Sequence, residues 1–223
     1  MRLLSDSIGR KVVMAITGLL MVLFVVGHLL GNLSIFAGAN GINTYAEKLH
    51  GLPAVVWATR VVMLAAVLFH LVLSIQITLE NRAANPTRYA VDRRLRVTFA
   101  SKNMIWTGLL LGAFIIFHLF HFTVRSVPGM EIVQVQDALG RFDVFAMVAA
   151  GFGKVATAVV YVVAMLMLYF HLSHGIQSTF QSLGLNNPKT MPGFVKFGGV
   201  LSVIFLLGYG AIPVAILFGL IAK

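Results

Sequence analysis

Residues 12–36 read VVMAITGLLMVLFVVGHLLGNLSIF, a run without Asp, Glu, Lys or Arg that carries one histidine, His28, deep inside. A helix needs about 20 apolar residues to cross about 30 Å of hydrocarbon, and this run is longer. Three other apolar stretches repeat the arrangement. His28 lies 17 residues after Lys11, His70 lies 17 after Pro53, His118 lies 16 after Lys102, and His171 lies 17 after Lys154. An ionisable side chain inside a membrane span is costly, and so points to a functional site. Four of them, one per helix, point to a cofactor.

The composition sets the class. The 223-residue chain is 59% hydrophobic and 11% charged, against about 25% charged in a soluble domain. It is read as one all-α integral membrane domain, residues 1–223. Cysteine is absent, which removes iron–sulfur ligation, covalent haem attachment, disulfides and thiol catalysis. The formal charge of +10 sits at the ends of apolar segments, a placement that suits topology signals and lipid headgroups and not nucleic acid. Arg2, Arg10 and Lys11 followed by Ala37-Gly38-Ala39 resemble a secretory signal, but the run between them far exceeds a signal core and is kept as a span.

Hydropathy predicts five transmembrane helices at about 11–36, 54–80, 103–125, 154–180 and 194–221. Eleven of the seventeen Lys and Arg residues fall on one side: Arg2, Arg10, Lys11, Arg82, Arg88, Arg93, Arg94, Arg96, Lys102, Lys189 and Lys196. The positive-inside rule then places the amino terminus in the cytoplasm and the carboxyl terminus outside. The connection at 126–153 holds Pro128-Gly129 and a semi-apolar stretch, Asp137 to Phe152, that is either an interfacial segment or an ordinary loop. In the fifth span Gly208, Gly210 and Pro213 predict a kink or a close helix contact. That span has no histidine and is expected to brace a four-helix core. No internal repeat stands out.

Consecutive spans alternate in direction, so equal distances from entry give opposite depths. At 1.5 Å per residue, His28 and His118 lie about 25 Å above the inner boundary, and His70 and His171 about 25 Å below the outer one. Two levels with two imidazoles each are what two six-coordinate b-type haems require, since each ring binds iron as the neutral species. With both axial positions filled by protein, the expected work is electron transfer. A single intramembrane histidine is otherwise a helix–helix hydrogen bond. Zinc is a weaker competitor, because no Cys, Asp or Glu accompanies these residues, and the ten methionines are read as core filling. His118-x-x-His121 and His171-x-x-His174 each offer a second imidazole on the same helix face. Spacing does not choose within a pair; depth favours His118 and His171. His121 and His174 are then supporting donors, propionate partners or proton carriers.

At these residues the chain resembles the five-helix, dihaem cytochrome b membrane subunit of bacterial succinate dehydrogenases and fumarate reductases. The matching features are Val26-Gly27-His28-Leu29, Gly51-Leu52-Pro53, Leu68-Phe69-His70-Leu71, Thr107-Gly108 ahead of His118, and Phe170-His171-Leu172-Ser173-His174-Gly175. They run through the whole chain, and order and spacing carry the likeness. The resemblance implies His28 with His118 on an outer, distal haem and His70 with His171 on an inner, proximal one, both non-covalent. It implies a flavoprotein with covalent FAD and an iron–sulfur subunit docked on the cytoplasmic face of a bacterial inner membrane. Electrons from succinate would reach a quinone, usually menaquinone. Asn43, Tyr45, Glu47 and His50, in the turn between spans one and two, are the candidate quinone-binding and proton-transfer residues. The family often has an acidic residue near that turn; here His50 holds the corresponding place, with Glu47 close by. An electron driven from the cytoplasmic face to an outer quinone crosses the field at about 2.3 kcal/mol per charge per 100 mV. The dihaem subunit of a hydrogenase or formate dehydrogenase is the alternative, and a partner flavoprotein separates the two. A small transporter is disfavoured, because no Asp or Glu lies within the apolar interior of a span.

Overall fold

A computed structural model describes residues 6–84, 98–127 and 136–221. Arg2, Arg88, Arg93, Arg94, Arg96 and Pro128-Gly129 lie outside the described residues. The chain is an all-α membrane protein with five helices long and apolar enough to cross a bilayer. These are α1 (Ser7–Leu33), α3 (Pro53–Ala83), α5 (Met104–His118, continued by a π turn to Val124), α7 (Val155–Ser182) and α8 (Met191–Leu217). Among the described residues three short α-helices accompany them: α2 (Gly38–His50), α4 (Phe99–Lys102) and α6 (Val144–Phe152). Local chemistry sets several of the starts. Pro53 opens α3, where its missing N–H costs nothing. Thr98 caps α4 by accepting from the Ser101 N–H at 3.1 Å, and Asp143 caps α6 by accepting from the Ala146 N–H at 2.9 Å.

Two stretches carry more structure than the sequence indicates. The first span ends at Leu33, and residues 34–50 form no simple turn: a 3-10 turn, Ser34–Ala37, leads directly into α2. The stretch from Asp137 to Phe152 is a turn followed by α6, whose Met147, Val148, Gly151 and Phe152 are buried. It packs against α2, α7 and α8, so it closes one end of the bundle.

Helices α1, α3, α5 and α7 form a ring, α1 against α3, α3 against α5, α5 against α7, and α7 against α1. The spans α1 and α5 therefore face each other along one diagonal, and α3 and α7 along the other. Outside the ring α8 runs along α7 and reaches α1. A Cβ added at Gly208 would lie 3.0 Å from the Leu29 side chain, which is the close contact the sequence predicts there. The Tyr209 hydroxyl donates to the Val25 carbonyl at 2.7 Å, fastening α8 to α1.

The chain also contains a repeat that the sequence reading passed over. Met14-x-x-Thr17-Gly18-Leu19-Leu20-x-x-x-Phe24-x-x-x-His28 on α1 recurs as Met104-x-x-Thr107-Gly108-Leu109-Leu110-x-x-x-Phe114-x-x-x-His118 on α5, 90 residues later. The repeated helices are the two ends of one diagonal. The pattern is short and set in Leu, Val and Ile, so composition hides it.

At the end remote from the amino terminus, a polar clasp joins α2 to the segment before α6. Asn43, 1% exposed, donates to Asp137 Oδ2 at 3.2 Å and Asp143 Oδ1 at 3.1 Å, and accepts from the Phe145 N–H at 3.0 Å. Arg141 pairs with Asp137 and donates to Asn40 and Thr44 of α2. The bond from Arg141, aided by Asn43 and backbone N–H groups, holds the Asp137 carboxyl down at about 2. Asn43→Ala strands buried polar groups and is expected to cost about 1–3 kcal/mol in thermal unfolding in detergent. Asp137 ionises more readily folded than unfolded, so its stabilisation is complete above its ordinary value of 3.8 and is lost as pH falls towards 2. Unfolding temperature followed between pH 5 and 2 should show that loss, and Asp137→Asn should flatten it.

Candidate functional site: two imidazole pairs

The ring of helices brings the four histidines together in pairs, each across a diagonal. His28 of α1 and His118 of α5 have ring centres 5.9 Å apart with planes at 81°. His70 of α3 and His171 of α7 have centres 6.3 Å apart with planes at 66°. His70 meets α1 at Met14, Thr17 and Gly18, ten residues short of His28. At 1.5 Å per residue the two pairs lie about 15 Å apart along the bundle. We call His70 and His171 the near pair, since it lies toward the amino-terminal end of α1, and His28 and His118 the far pair.

The near rings are held by the repeat. His70 Nδ1 lies 3.0 Å from the Met14 carbonyl and 3.4 Å from Thr17 Oγ1. His171 Nδ1 lies 3.2 Å from Thr107 Oγ1. A Cβ on Gly18 would stand 3.2 Å from His70 Cε1, and one on Gly108 would stand 3.1 Å from His171 Cε1. The bare glycine thus lets each ring settle against helix backbone. The Met14 carbonyl only accepts, and the Thr107 hydroxyl gives its proton to carbonyls of its own helix, so Nδ1 carries the proton in both rings and Nε2 is left with a free lone pair.

The far pair is set differently. The Phe24 ring stacks on His28 at 5.3 Å, and Tyr209 stands 6.0 Å away on the other helix. His118 Nδ1 and His121 Nδ1 both lie 3.1 Å from the Tyr161 hydroxyl of α7. A π-helical turn, Leu119–Val124, follows His118 and carries His121. Such turns often mark functional sites. His121 is 1% exposed and its Nε2 has no hydrogen-bond partner. His174 stays within α7, with Gln177 Nε2 at 2.9 Å from its Nδ1. The structure therefore brings His118, not His121, to His28, and His171, not His174, to His70.

The four residues of α2 separate. The Asn43 amide is engaged on both sides by the polar clasp. The Tyr45 hydroxyl lies against Gly31 of α1, where a Cβ would come within 2.4 Å of it, one turn beyond His28. Glu47 and His50 are exposed, and His50 Nδ1 lies 2.8 Å from the Ala46 carbonyl. Of the small residues near the histidines, a Cβ on Gly108 would crowd the His171 ring, one on Gly175 would stand 3.2 Å from Met104 Cε, and one on Gly27 would meet nothing within 4 Å. Sequence reasoning marks Thr107-Gly108 but misses Tyr161, Tyr209 and the matching Thr17-Gly18; the repeat was the signal for the last.

Two neutral imidazoles at this distance suit one metal centre between them. Metal–nitrogen bonds of about 2 Å, with about 1 Å more from each nitrogen to its ring centre, put the ring centres about 6 Å apart. Among the described residues no three His, Cys, Asp or Glu gather to hold a bare ion, whereas a porphyrin brings four nitrogens of its own and needs only two from protein. The residues present fit a haem. Set against known protein families, curated proteins and solved structures, the chain matches none of them.

The Tyr161 hydroxyl serves two ring nitrogens at once. Tyr161→Phe is expected to lower stability by about 1–3 kcal/mol, read as a fall in unfolding temperature in detergent. Tyr169→Phe, on the same helix, should leave it unchanged.

Proposed function

We propose that this chain is the membrane cytochrome b subunit of a succinate:quinone oxidoreductase. In that reading it is a multi-pass electron-transfer anchor in a bacterial inner membrane. The observation that carries it is the pairing: four histidines from four spans meet as two couples, 5.9 and 6.3 Å between ring centres, on opposite diagonals at two depths. A helix–helix hydrogen bond uses one imidazole and one acceptor. It gives no reason for two imidazoles to face each other twice. With basic residues marking the cytoplasmic side, the near pair would hold the inner haem and the far pair the outer one. The chemistry such haems supply is one-electron transfer.

The chain's own residues would do the rest. Thr17, Thr107 and the Met14 carbonyl keep the near rings in the Nδ1–H form, and Tyr161 steadies His118. With Asn43 occupied, Tyr45, Glu47 and His50 are the groups left on α2 for a quinone near the far pair. A hydroxyl, a carboxyl and an imidazole there would give hydrogen bonds to the carbonyls and a route for protons. Dicarboxylate chemistry would belong to a flavoprotein and an iron–sulfur subunit on the cytoplasmic face.

A reduced-minus-oxidised visible spectrum of the purified chain, with haem quantified, tests the reading. Two non-covalent haems per chain are expected. His70→Ala or His171→Ala should remove one and leave the other; His28→Ala or His118→Ala should do the converse. His121→Ala and His174→Ala should keep both. A folded but colourless chain would overturn the reading, and co-purification with a metal-centred dehydrogenase in place of a flavoprotein would move it to the hydrogenase or formate dehydrogenase type.

A further inference from the structure

The recurrence of one sequence pattern against two different histidines carries a second inference, which rests on the haem reading above. In both copies the Thr hydroxyl makes the same bonds within its own helix. Thr17 Oγ1 donates to the Val13 and Met14 carbonyls at 2.9 and 3.0 Å, and Thr107 Oγ1 to the Asn103 and Met104 carbonyls at 3.2 and 3.0 Å. Its only proton is committed there, so toward the imidazole the hydroxyl oxygen acts as an acceptor. Each Thr thus receives the Nδ1–H of the histidine across the helix contact, at 3.4 Å for His70 and 3.2 Å for His171. The glycine that follows sets how closely the ring sits, with Cβ clearances of 3.2 and 3.1 Å. Both threonines are buried. Hydrophobicity does not call for a hydroxyl at either place, since the neighbouring positions are Ile, Leu and Trp.

We infer that Thr17-Gly18 and Thr107-Gly108 are a matched pair of positioning devices for the inner haem's axial ligands. The Thr residues set ligand basicity and the Gly residues set ring placement. They act on His70 and His171 from helices that themselves carry the ligands of the other haem. A ring whose N–H is drawn toward an acceptor binds iron through a more electron-rich nitrogen, which favours the ferric state. Loss of the acceptor therefore raises the midpoint potential of that haem and of no other.

Redox titration and low-spin ferric EPR of the whole purified chain separate the two haems, the outer one serving as internal control. Thr107→Val should raise the inner potential and alter the inner EPR signal. Thr17→Val should act in the same direction but less, because the Met14 carbonyl still lies 3.0 Å from His70 Nδ1. Thr107→Ser should restore both readouts. Gly108→Ala should change the inner EPR signal by turning the His171 ring, with the outer signal constant. Selective loss of the inner haem in a folded Thr107→Val chain is the stronger form of the same result. Two haems in the parent chain, with an inner signature that ignores Thr107→Val, Thr17→Val and Gly108→Ala, would overturn the positioning role and leave the haem reading standing. A parent chain without haem would overturn both.

Discussion

An imidazole buried among lipid-facing helices must remain uncharged and must find use for two nitrogens, one a donor and one an acceptor. The near pair shows how the chain meets that demand. Each ring gives its Nδ1–H to the backbone or hydroxyl of a neighbouring helix, which leaves the opposite nitrogen bare in the middle of the bundle. The rings of α3 and α7 meet across the diagonal with their centres 6.3 Å apart. Gly18 and Gly108 set how closely those two rings approach α1 and α5.

The two levels solve the same problem with different parts. The near pair leans on the Met14 carbonyl and on the Thr17 and Thr107 hydroxyls, and one sequence pattern supplies the support on both sides. The far pair leans on side chains: Phe24 stacked on His28, Tyr161 shared by His118 and His121, and Tyr209 tied to the Val25 carbonyl. The far pair also sits under the lid formed by α2 and α6. There Asn43, Asp137, Arg141 and Asp143 supply the polar bonds that the apolar spans lack. Two rings propped on backbone and hydroxyl groups and two propped on aromatic side chains lie in unlike surroundings, although all four are the same residue.

Much of this was readable from residues. The apolar runs gave the five spans, and equal spacing of His28, His70, His118 and His171 from the membrane boundary gave the two levels at which the rings pair. Gly208 was marked as a contact point and is one. Three features were not readable in the same way. Residues 38–50 mix Gly, Asn and Lys, so they look like a loop, yet they form α2 because Ile42 and Asn43 find burial under α6. The bond from Tyr161 to both His118 and His121 depends on a π turn, which changes the face that a spacing of three presents. The Met-x-x-Thr-Gly repeat was open to inspection, but it gains meaning only when a third and a fourth helix are known to rest on it.

The diagonal arrangement also orders the protein's birth. The hairpin of α1 and α3 holds one imidazole for each couple and the partner of neither, and the hairpin of α5 and α7 holds the complements. As the chain emerges into the bilayer, no couple exists until α5 is inserted, and the second waits for α7. A ribosome that stops after the third span leaves one couple closed and one histidine, His70, stranded against α1 without its mate.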